Sequence, residues 1–344
     1  YNARFKPEIS NSIEVGLDWR MFKQRFGLDL AFYNNITRNQ ILDVPMDQTT
    51  GYTKATMNSG KVRNRGIELQ LDGTPVKTKN FTWNSTFTWA KNYNKVLSLA
   101  AGLTDGQTIA YTGGTNCALI AKVGGSIGDI YGYKLKRAPD GQVVWKDGIT
   151  ARITEFEYVG NAYPAWKAGF SNEFSYKNFR VSILFDGQWG GIVYSQTHHK
   201  MTEHGTLKHT LKYRENPNFE VVGEGVMLDE RGQYVPNNVP ISVSKYYADY
   251  WRRANVETNS FDASFLKLRE ARIEYTIPSA GLNKIGIERL TLALYGRNLA
   301  MWTKDFPVYD PEVATLNNGT IVPGSEMGQL PSTRTMGFNL TLKF

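Results

Sequence analysis

Apolar and polar residues alternate with a period of two through much of this chain. In residues 12–21, Ile13, Val15, Leu17, Trp19 and Met21 share one face, while Glu14, Gly16, Asp18 and Arg20 share the other. A helix would smear both classes around its circumference, so the pattern predicts an extended strand. Phe26, Leu28, Leu30 and Phe32 repeat it, as do Ile67, Leu69 and Leu71 against Glu68, Gln70 and Asp72. Phe81, Trp83, Phe87 and Trp89 form a third set, and Phe179, Val181, Ile183, Phe185 and Trp189 a fourth. The last stretch is the cleanest, with Met336, Phe338, Leu340, Leu342 and Phe344 against Gly337, Asn339, Thr341 and Lys343.

Nine strands follow from the pattern: near 9–21, 26–36, 61–72, 80–92, 166–177, 179–190, 264–277, 287–299 and the final segment. Residues 125–136 and 152–159 are candidates for one further pair. Strands of soluble proteins run to about five or six residues, whereas a tilted strand of roughly 9–11 residues crosses a bilayer core. The expected class is therefore all-β, a transmembrane antiparallel β-barrel with hydrocarbon outside and water inside. Glu14, Asp18, Arg20, Glu68, Gln70 and Asp72 are then lumen-facing. Trp19, Trp83, Trp89 and Trp189 are candidates for the aromatic girdles. The rival reading is a soluble antiparallel sheet with one wet face.

Connections give a second line of evidence. Short ones are expected at Phe22–Arg25, at a stretch including Gly73, Pro75 and Lys77, at Lys177-Asn178, and through Pro278, Gly281 and Asn283. Long ones are expected near 37–60, 93–165, 191–263 and 300–332. Outer-membrane barrels keep short turns on the periplasmic side and long loops outside, so the long connections are predicted to be extracellular. The chain opens in mid-register at Tyr1-Asn2-Ala3-Arg4-Phe5, and single-chain bacterial barrels have an even number of strands. Residues 1–344 therefore read as the C-terminal portion, about 9–11 strands, of a larger barrel.

Composition narrows the function. The net charge is +8 over 344 residues, with no polybasic tail that would indicate nucleic acid. A single cysteine, Cys117, excludes an internal disulfide framework. Aromatic residues make up 13%, which suits a girdled barrel better than a helical bundle. His198, His199, His204 and His209 crowd one long connection, but no His-Glu-x-x-His motif accompanies them. Asp310-Pro311-Glu312 and Asp43 to Asp47 lack the twelve-residue calcium pattern. Gly124-Gly125-Ser126 and Gly113-Gly114-Thr115 lack a phosphate-loop lysine. No catalytic constellation, metal site or cofactor site emerges, so the chain is not expected to be an enzyme. Trp145, Tyr194, Tyr246, Tyr247, Tyr250, Trp251 and Trp302 are aromatics expected in long loops, as substrate stackers, as contacts to a lid, or as loop fasteners.

Six stretches, in order, carry a family resemblance. They are Phe5-Lys6-Pro7-Glu8-Ile9-Ser10-Asn11-Ser12, Gly60-Lys61-Val62-Arg63-Asn64-Arg65-Gly66-Ile67-Glu68-Leu69, and Gly160-Asn161-Ala162-Tyr163-Pro164. Then come Phe265-Leu266-Lys267-Leu268-Arg269 through Tyr275-Thr276-Ile277-Pro278, and Leu294-Tyr295-Gly296-Arg297-Asn298-Leu299 with Asp310-Pro311-Glu312. The last is Pro331-Ser332-Thr333-Arg334, with Gly337-Phe338 and the terminal Phe344. The chain resembles the C-terminal barrel region of the SusC/RagA family of TonB-dependent outer-membrane transporters of Bacteroidota.

The resemblance implies a barrel of roughly 22 strands around an N-terminal plug. It implies energy from a TonB-ExbB-ExbD complex and a SusD-like surface lipoprotein as lid. The implied cargo is an oligosaccharide or peptide too large for porins. The plug, the TonB box and the early strands would lie in the remainder of the transporter. Pairing of two transporters is left open. A passive porin, a barrel-borne protease or lipase, and a soluble binding or adhesion module remain the alternatives. Phe344 resembles the terminal aromatic that the outer-membrane assembly machinery reads.

Overall fold

The computed structural model describes residues 5–45, 48–52, 54–58, 60–100, 106–112, 114–278, 282, 286–312, 314–317 and 320–344. Gly281, Asn283, Gly113 and Asp47, named above as turn, phosphate-loop and calcium candidates, lie outside the described residues. One nine-stranded antiparallel sheet forms the wall, each strand pairing with its sequence neighbours among the nine. Its strands are β1 (Ile9–Met21), β2 (Phe26–Arg38), β3 (Lys61–Lys77), β4 (Phe81–Ser98) and β5 (Trp166–Tyr176). They continue as β6 (Phe179–Trp189), β7 (Phe265–Ile277), β8 (Arg289–Thr303) and β9 (Thr335–Lys343).

Through the middle of the wall the register keeps period two in step from strand to strand, and on β7 a register shift beside Arg269 moves the outward parity from Ile273 to Leu268. One row runs Trp19, Leu28, Leu71, Phe87, Phe170, Phe185 and Leu268 from β1 to β7. The adjacent row on the opposite face runs Asp18, Asp29, Gln70, Thr88, Gly169, Asp186 and Lys267. The apolar face is not buried by protein: Ile273 on a central strand is 54% exposed, Ile13 71% and Phe338 78%. An outward apolar face of this extent, backed by a polar one, is the surface that a membrane barrel turns to hydrocarbon.

Two expectations change at the level of single elements. Gly73, Pro75 and Lys77 belong to β3 rather than to a turn. A register shift between Gly73 and Val76 accommodates them, since a proline has no N–H to give the ladder. The candidate extra pair around 125–136 and 152–159 does not enter the wall. Asp129–Gly132 and Glu157–Asn161 instead join Gln107–Thr112 and Cys117–Ala121 in a separate four-stranded sheet. Those strands have four to six residues; the two inner ones, Cys117–Ala121 and Asp129–Gly132, bury nearly every residue and so pack against protein on both faces, whereas Glu157–Asn161 at the edge leaves Glu157 and Tyr158 exposed.

The connections after β4, β6 and β8 fold together as one layer. Val144–Lys146 pairs with Val226–Leu228, joining the connection after β4 to that after β6. Ile192–Ser195 pairs with both Ser260–Asp262 and Ser325–Glu326, which adds the connection after β8. Cys117, Leu119, Ile130, Tyr194, Val256 and Val322 form a core drawn from all three connections. This layer also holds two short helices, α1 (Gln196–Glu203) and α2 (Val243–Tyr250). Ser195 and Ser242 cap them, accepting hydrogen bonds from the backbone N–H groups of His198 and Lys245.

Two glycines show why the wall needs small residues. A Cβ on Gly66 would lie 2.5 Å from Tyr33 Oη and from the Lys91 carbonyl oxygen. A Cβ on Gly337 would lie 2.6 Å from Tyr295 Oη. Each tyrosine is the direct cross-strand partner of its glycine and covers the gap with its ring.

Candidate functional site

The polar face of the wall is concave and lines a cavity of about 780 Å³. Asp18, Asp29, Glu68, Gln70, Lys167 and Asp186 border it, together with Glu312 from the connection after β8. On the β1 side Arg20 gathers carboxylates of the same face, two of which line the cavity. Its Nε lies 2.9 Å from Asp18, and its terminal nitrogens lie 2.9 Å from Asp29 and 3.6 Å from Asp72. Gln70 donates to Asp72 at 2.9 Å. Glu14, Asp18, Arg20, Glu68, Gln70 and Asp72 thus share one face.

On the β7 side an ion network, buried at Lys267 and Asp310 and half-exposed at Glu312, ties the loop layer to the wall. Lys267 Nζ donates to both Asp310 oxygens at 2.8 Å and to Glu312 Oε2 at 2.6 Å. Arg269 bridges Asp186 and both Glu312 oxygens, the latter at 2.8 and 2.7 Å. Burial pushes the Asp310 and Glu312 carboxyls up, but Lys267, with further hydrogen bonds, pulls both below their usual range. The carboxylates of Asp310-Pro311-Glu312 are therefore committed to protein cations. Pro311 separates two acidic groups that grip the same lysine.

The aromatics predicted in loops fall into two groups. Trp145 and Tyr194 are fully buried, so their rings fasten the layer rather than line a surface. Trp145 stacks on Tyr246 and Tyr250, each with centroids 6.0 Å apart, and its Nε1 donates to the Glu224 carbonyl at 2.9 Å. Tyr247 and Trp251 stack at 5.5 Å within the same cluster. Trp302 is not in a loop: it lies on β8 opposite Leu266, on the apolar outward face.

Three of the histidines converge without forming a metal centre. His198 and His199 are buried in α1; His198 Nδ1 meets Asn259 Oδ1 at 2.9 Å, and His199 Nδ1 meets the Trp251 carbonyl at 2.8 Å. His209 stacks on His198 at 5.2 Å and meets Thr202 Oγ1 at 3.2 Å. Burial lowers His198 to about 4, so it is neutral near pH 7. Among the described residues, no group of three His, Cys, Asp or Glu side chains is placed to hold a metal ion.

The motif residues have structural partners. The Pro7 carbonyl accepts from Asn39 Nδ2 at 3.3 Å, and Glu8 Oε2 accepts from the Ile41 N–H at 3.4 Å. Asn64 Oδ1 accepts from Asn92 and Asn94 at 3.2 and 2.9 Å. Pro164 lies in the turn before β5, against the backbone of Gly191. Pro278 follows the last residue of β7. Arg297 Nε pairs with Glu270 at 2.9 Å. Asn298 has a left-handed φ of 51° at the register shift between β7 and β8, and donates to the Thr333 carbonyl at 3.0 Å. Arg334 and Phe344 are exposed.

Sequence reading missed Glu326. It is fully buried, yet no cation lies within salt-bridge distance among the described residues. Ser195 Oγ, Thr197 Oγ1 and the Gly328 N–H donate to it at 2.5 Å, and Tyr309 Oη donates as well. Burial pushes this carboxyl up; the hydrogen bonds, beginning with Ser195, outweigh that and hold it below its usual range. Burial and Glu326 together raise the Tyr309 hydroxyl to about 12. Neighbouring hydroxyls scattered over 130 residues gave no local signal.

Residues 1–299 match the family model described as TonB dependent receptor-like, beta-barrel. TonB-dependent receptor P26 of Formosa agariphila is 29% identical over the whole of this chain and 35% of that relative. TonB-dependent receptor SusC of Bacteroides thetaiotaomicron is 24% identical over 56% of this chain and 20% of its own length. The chain thus spans about a third of the first of these relatives. Among solved structures, the RagAB peptide transporter superposes with a TM-score of 0.69 over 98% of this chain and 35% of that one, at 20% identity, which speaks for the fold. The alternating wall, its polar concavity and the match over most of its length lead to one conclusion: the chain belongs to the TonB-dependent receptor family of outer-membrane β-barrel transporters.

Proposed function

We propose that this chain forms part of the wall and outer cover of a TonB-dependent importer for an oligosaccharide or peptide. In this reading the long connections face outside, and a SusD-like lipoprotein closes over them as a lid. The remainder of the transporter supplies the plug, and a TonB-ExbB-ExbD complex supplies energy. The observation that carries the reading is the way the loop layer is fixed to the polar concavity. Lys267 and Arg269 on the wall hold Asp310 and Glu312 of the connection after β8, and strand pairing links that connection to the one after β6. A cover anchored over a polar lumen suits gated passage better than a permanently open pore. A peptide cargo is additionally favoured by the likeness in fold to a peptide transporter.

The test is uptake of labelled oligosaccharides and peptides by cells carrying the full-length protein, with TonB present or depleted. The proposal expects uptake that saturates and stops without TonB. Uptake that persists without TonB, together with swelling of liposomes containing the purified protein, would establish the porin alternative.

A further inference from the structure

The outward face changes character at one end of β2, β3 and β4. Moving along β3, the outward positions Leu71, Leu69 and Ile67 give way to Arg65, Arg63 and Lys61. Along β4, Phe87 and Trp89 give way to Lys91, Tyr93 and Lys95. The register aligns these changes: Ile67 faces Lys91, Arg65 faces Tyr93, and Arg63 faces Lys95. Tyr93 lies between two cations, with Lys91 Nζ 4.8 Å and Arg65 Cζ 5.8 Å from its ring centroid. Arg38, opposite Lys61, extends the patch onto β2.

No aspartate or glutamate occupies an outward position of β1 to β4. The basic groups therefore have no counter-charge in the wall itself, and Arg63 Nε is enclosed without a hydrogen-bond partner among the described residues. Like charges gathered this densely repel one another unless an anion sits between them. This is also the end from which the connections 39–60 and 99–165 leave the wall. β3 has 17 residues, about 56 Å of strand at ~3.3 Å per residue, more than the hydrocarbon core requires even when tilted. With the Ile67–Leu71 band laid across the hydrocarbon, the basic end of β3 would reach headgroup level.

We propose that Arg63, Arg65, Lys91 and Lys95 bind the phosphate-bearing headgroup of an outer-leaflet glycolipid, whose acyl chains continue down the Ile67–Leu69–Trp89 band. Charge complementarity and continuity with the lipid-facing surface select this occupant over an acidic protein. Arginine supplies forked donors for phosphate oxygens, and lysine supplies point charges. The inference rests on the outer-membrane reading with the long connections outward.

The test uses the full-length transporter in nanodiscs. One set contains phosphorylated outer-membrane glycolipid, a second the same lipid after phosphatase treatment, and a third neutral phospholipid with added inorganic phosphate. Brominated acyl chains report depth through quenching of tryptophan fluorescence. Wild type should retain the phosphorylated glycolipid through detergent exchange, as read by native mass spectrometry. The pair Lys91→Gln with Lys95→Gln should weaken retention at least about tenfold, because basic groups at an anionic membrane surface act nearly additively. Lys91→Arg with Lys95→Arg should restore it. Heat-modifiable migration on gels verifies that each variant is folded.

Retention that ignores phosphatase treatment, or that is equal in wild type and the Gln pair, overturns the proposal. So does unchanged retention accompanied by lost affinity for the surface lipoprotein, which would assign the patch to a protein partner. Competition by inorganic phosphate at low concentration would indicate a free-anion site instead. If bromolipid fails to quench the wall tryptophans at all, the membrane reading itself fails; quenching without phosphate dependence removes only this inference.

Discussion

Lys267 holds Asp310 with both carboxylate oxygens at 2.8 Å, and each side chain is about 95% or more buried. The pair joins the Phe265–Arg269 stretch of the wall to the Asp310–Glu312 stretch of the loop layer, 43 residues apart. Removing the lysine leaves Asp310 buried without its counter-charge, whereas removing both charges leaves only a small packing defect. Lys267→Met should therefore destabilise the loop layer by about 3–5 kcal/mol, and Lys267→Met with Asp310→Leu should recover most of that loss. Hydrogen exchange of residues 304–334 in the full-length transporter reads this out. Equal exchange in wild type and Lys267→Met would mean that the clamp does not hold the layer.

Acid should loosen the layer at α1. His198 falls from its ordinary 6.5 to about 4 on folding, so the unfolded segment takes up a proton first. The stability it contributes is complete above about pH 6.5 and is lost as pH falls towards 4. Burial also lowers His199 and His209, which adds to the same trend. Exchange of residues 196–262 should rise as pH falls from 6.5 to 4 after correction for the intrinsic rate. His198→Gln, which cannot charge, should flatten the profile; an unchanged profile would place the acid sensitivity elsewhere.

Tyr295 and Gly337 form a test of close packing in the wall. Gly337→Ala places a methyl against the tyrosine ring and should cost about 1–3 kcal/mol of barrel stability. Tyr295→Ser in that background should return part of it, since the obstructing atoms belong to a side chain. Urea-induced unfolding followed by gel migration measures both. Additive losses would show that the ring and the glycine do not share the space.

An amide on the lipid-facing side also needs explaining. Asn172 is buried on β5, and its Oδ1 accepts from Trp83 Nε1 at 3.0 Å, across the apolar face. Trp83→Phe removes the donor and should destabilise the wall by about 1–2 kcal/mol, while Asn172→Leu should be close to neutral. The same unfolding assay decides between them, and a harmless Trp83→Phe would mean that the amide finds another partner.

The wall was legible because its determinant is local. Ile13, Val15 and Leu17 alternate with Glu14 and Asp18 whatever lies elsewhere in the chain, and nine strands resulted. Strand limits were less legible: β4 runs on to Ser98 because Val96 packs with Val62 and Ala121 from the loop sheet. Of the loop layer, only the strand character around 125–136 and 152–159 and the fastening role of aromatics such as Trp145 were legible, not how the connections pair. Its strands have as few as two residues, and its determinants are distant pairs such as Ser195 with Glu326 and Thr150 with Asp249. Trp302 was misplaced because β8 continues beyond its register shift at Asn298 to Thr303.

Every conclusion depends on hydrocarbon lying against one face of the wall and water or protein against the other. Nitroxide labels placed singly at residues 67–72 of the full-length transporter, in a Cys117→Ser background and in bilayers, test this directly. Oxygen accessibility should peak at Ile67, Leu69 and Leu71 and fall at Glu68, Gln70 and Asp72, with a period of two. Equal accessibility to oxygen at both sets, or a peak at the polar positions, would contradict the account.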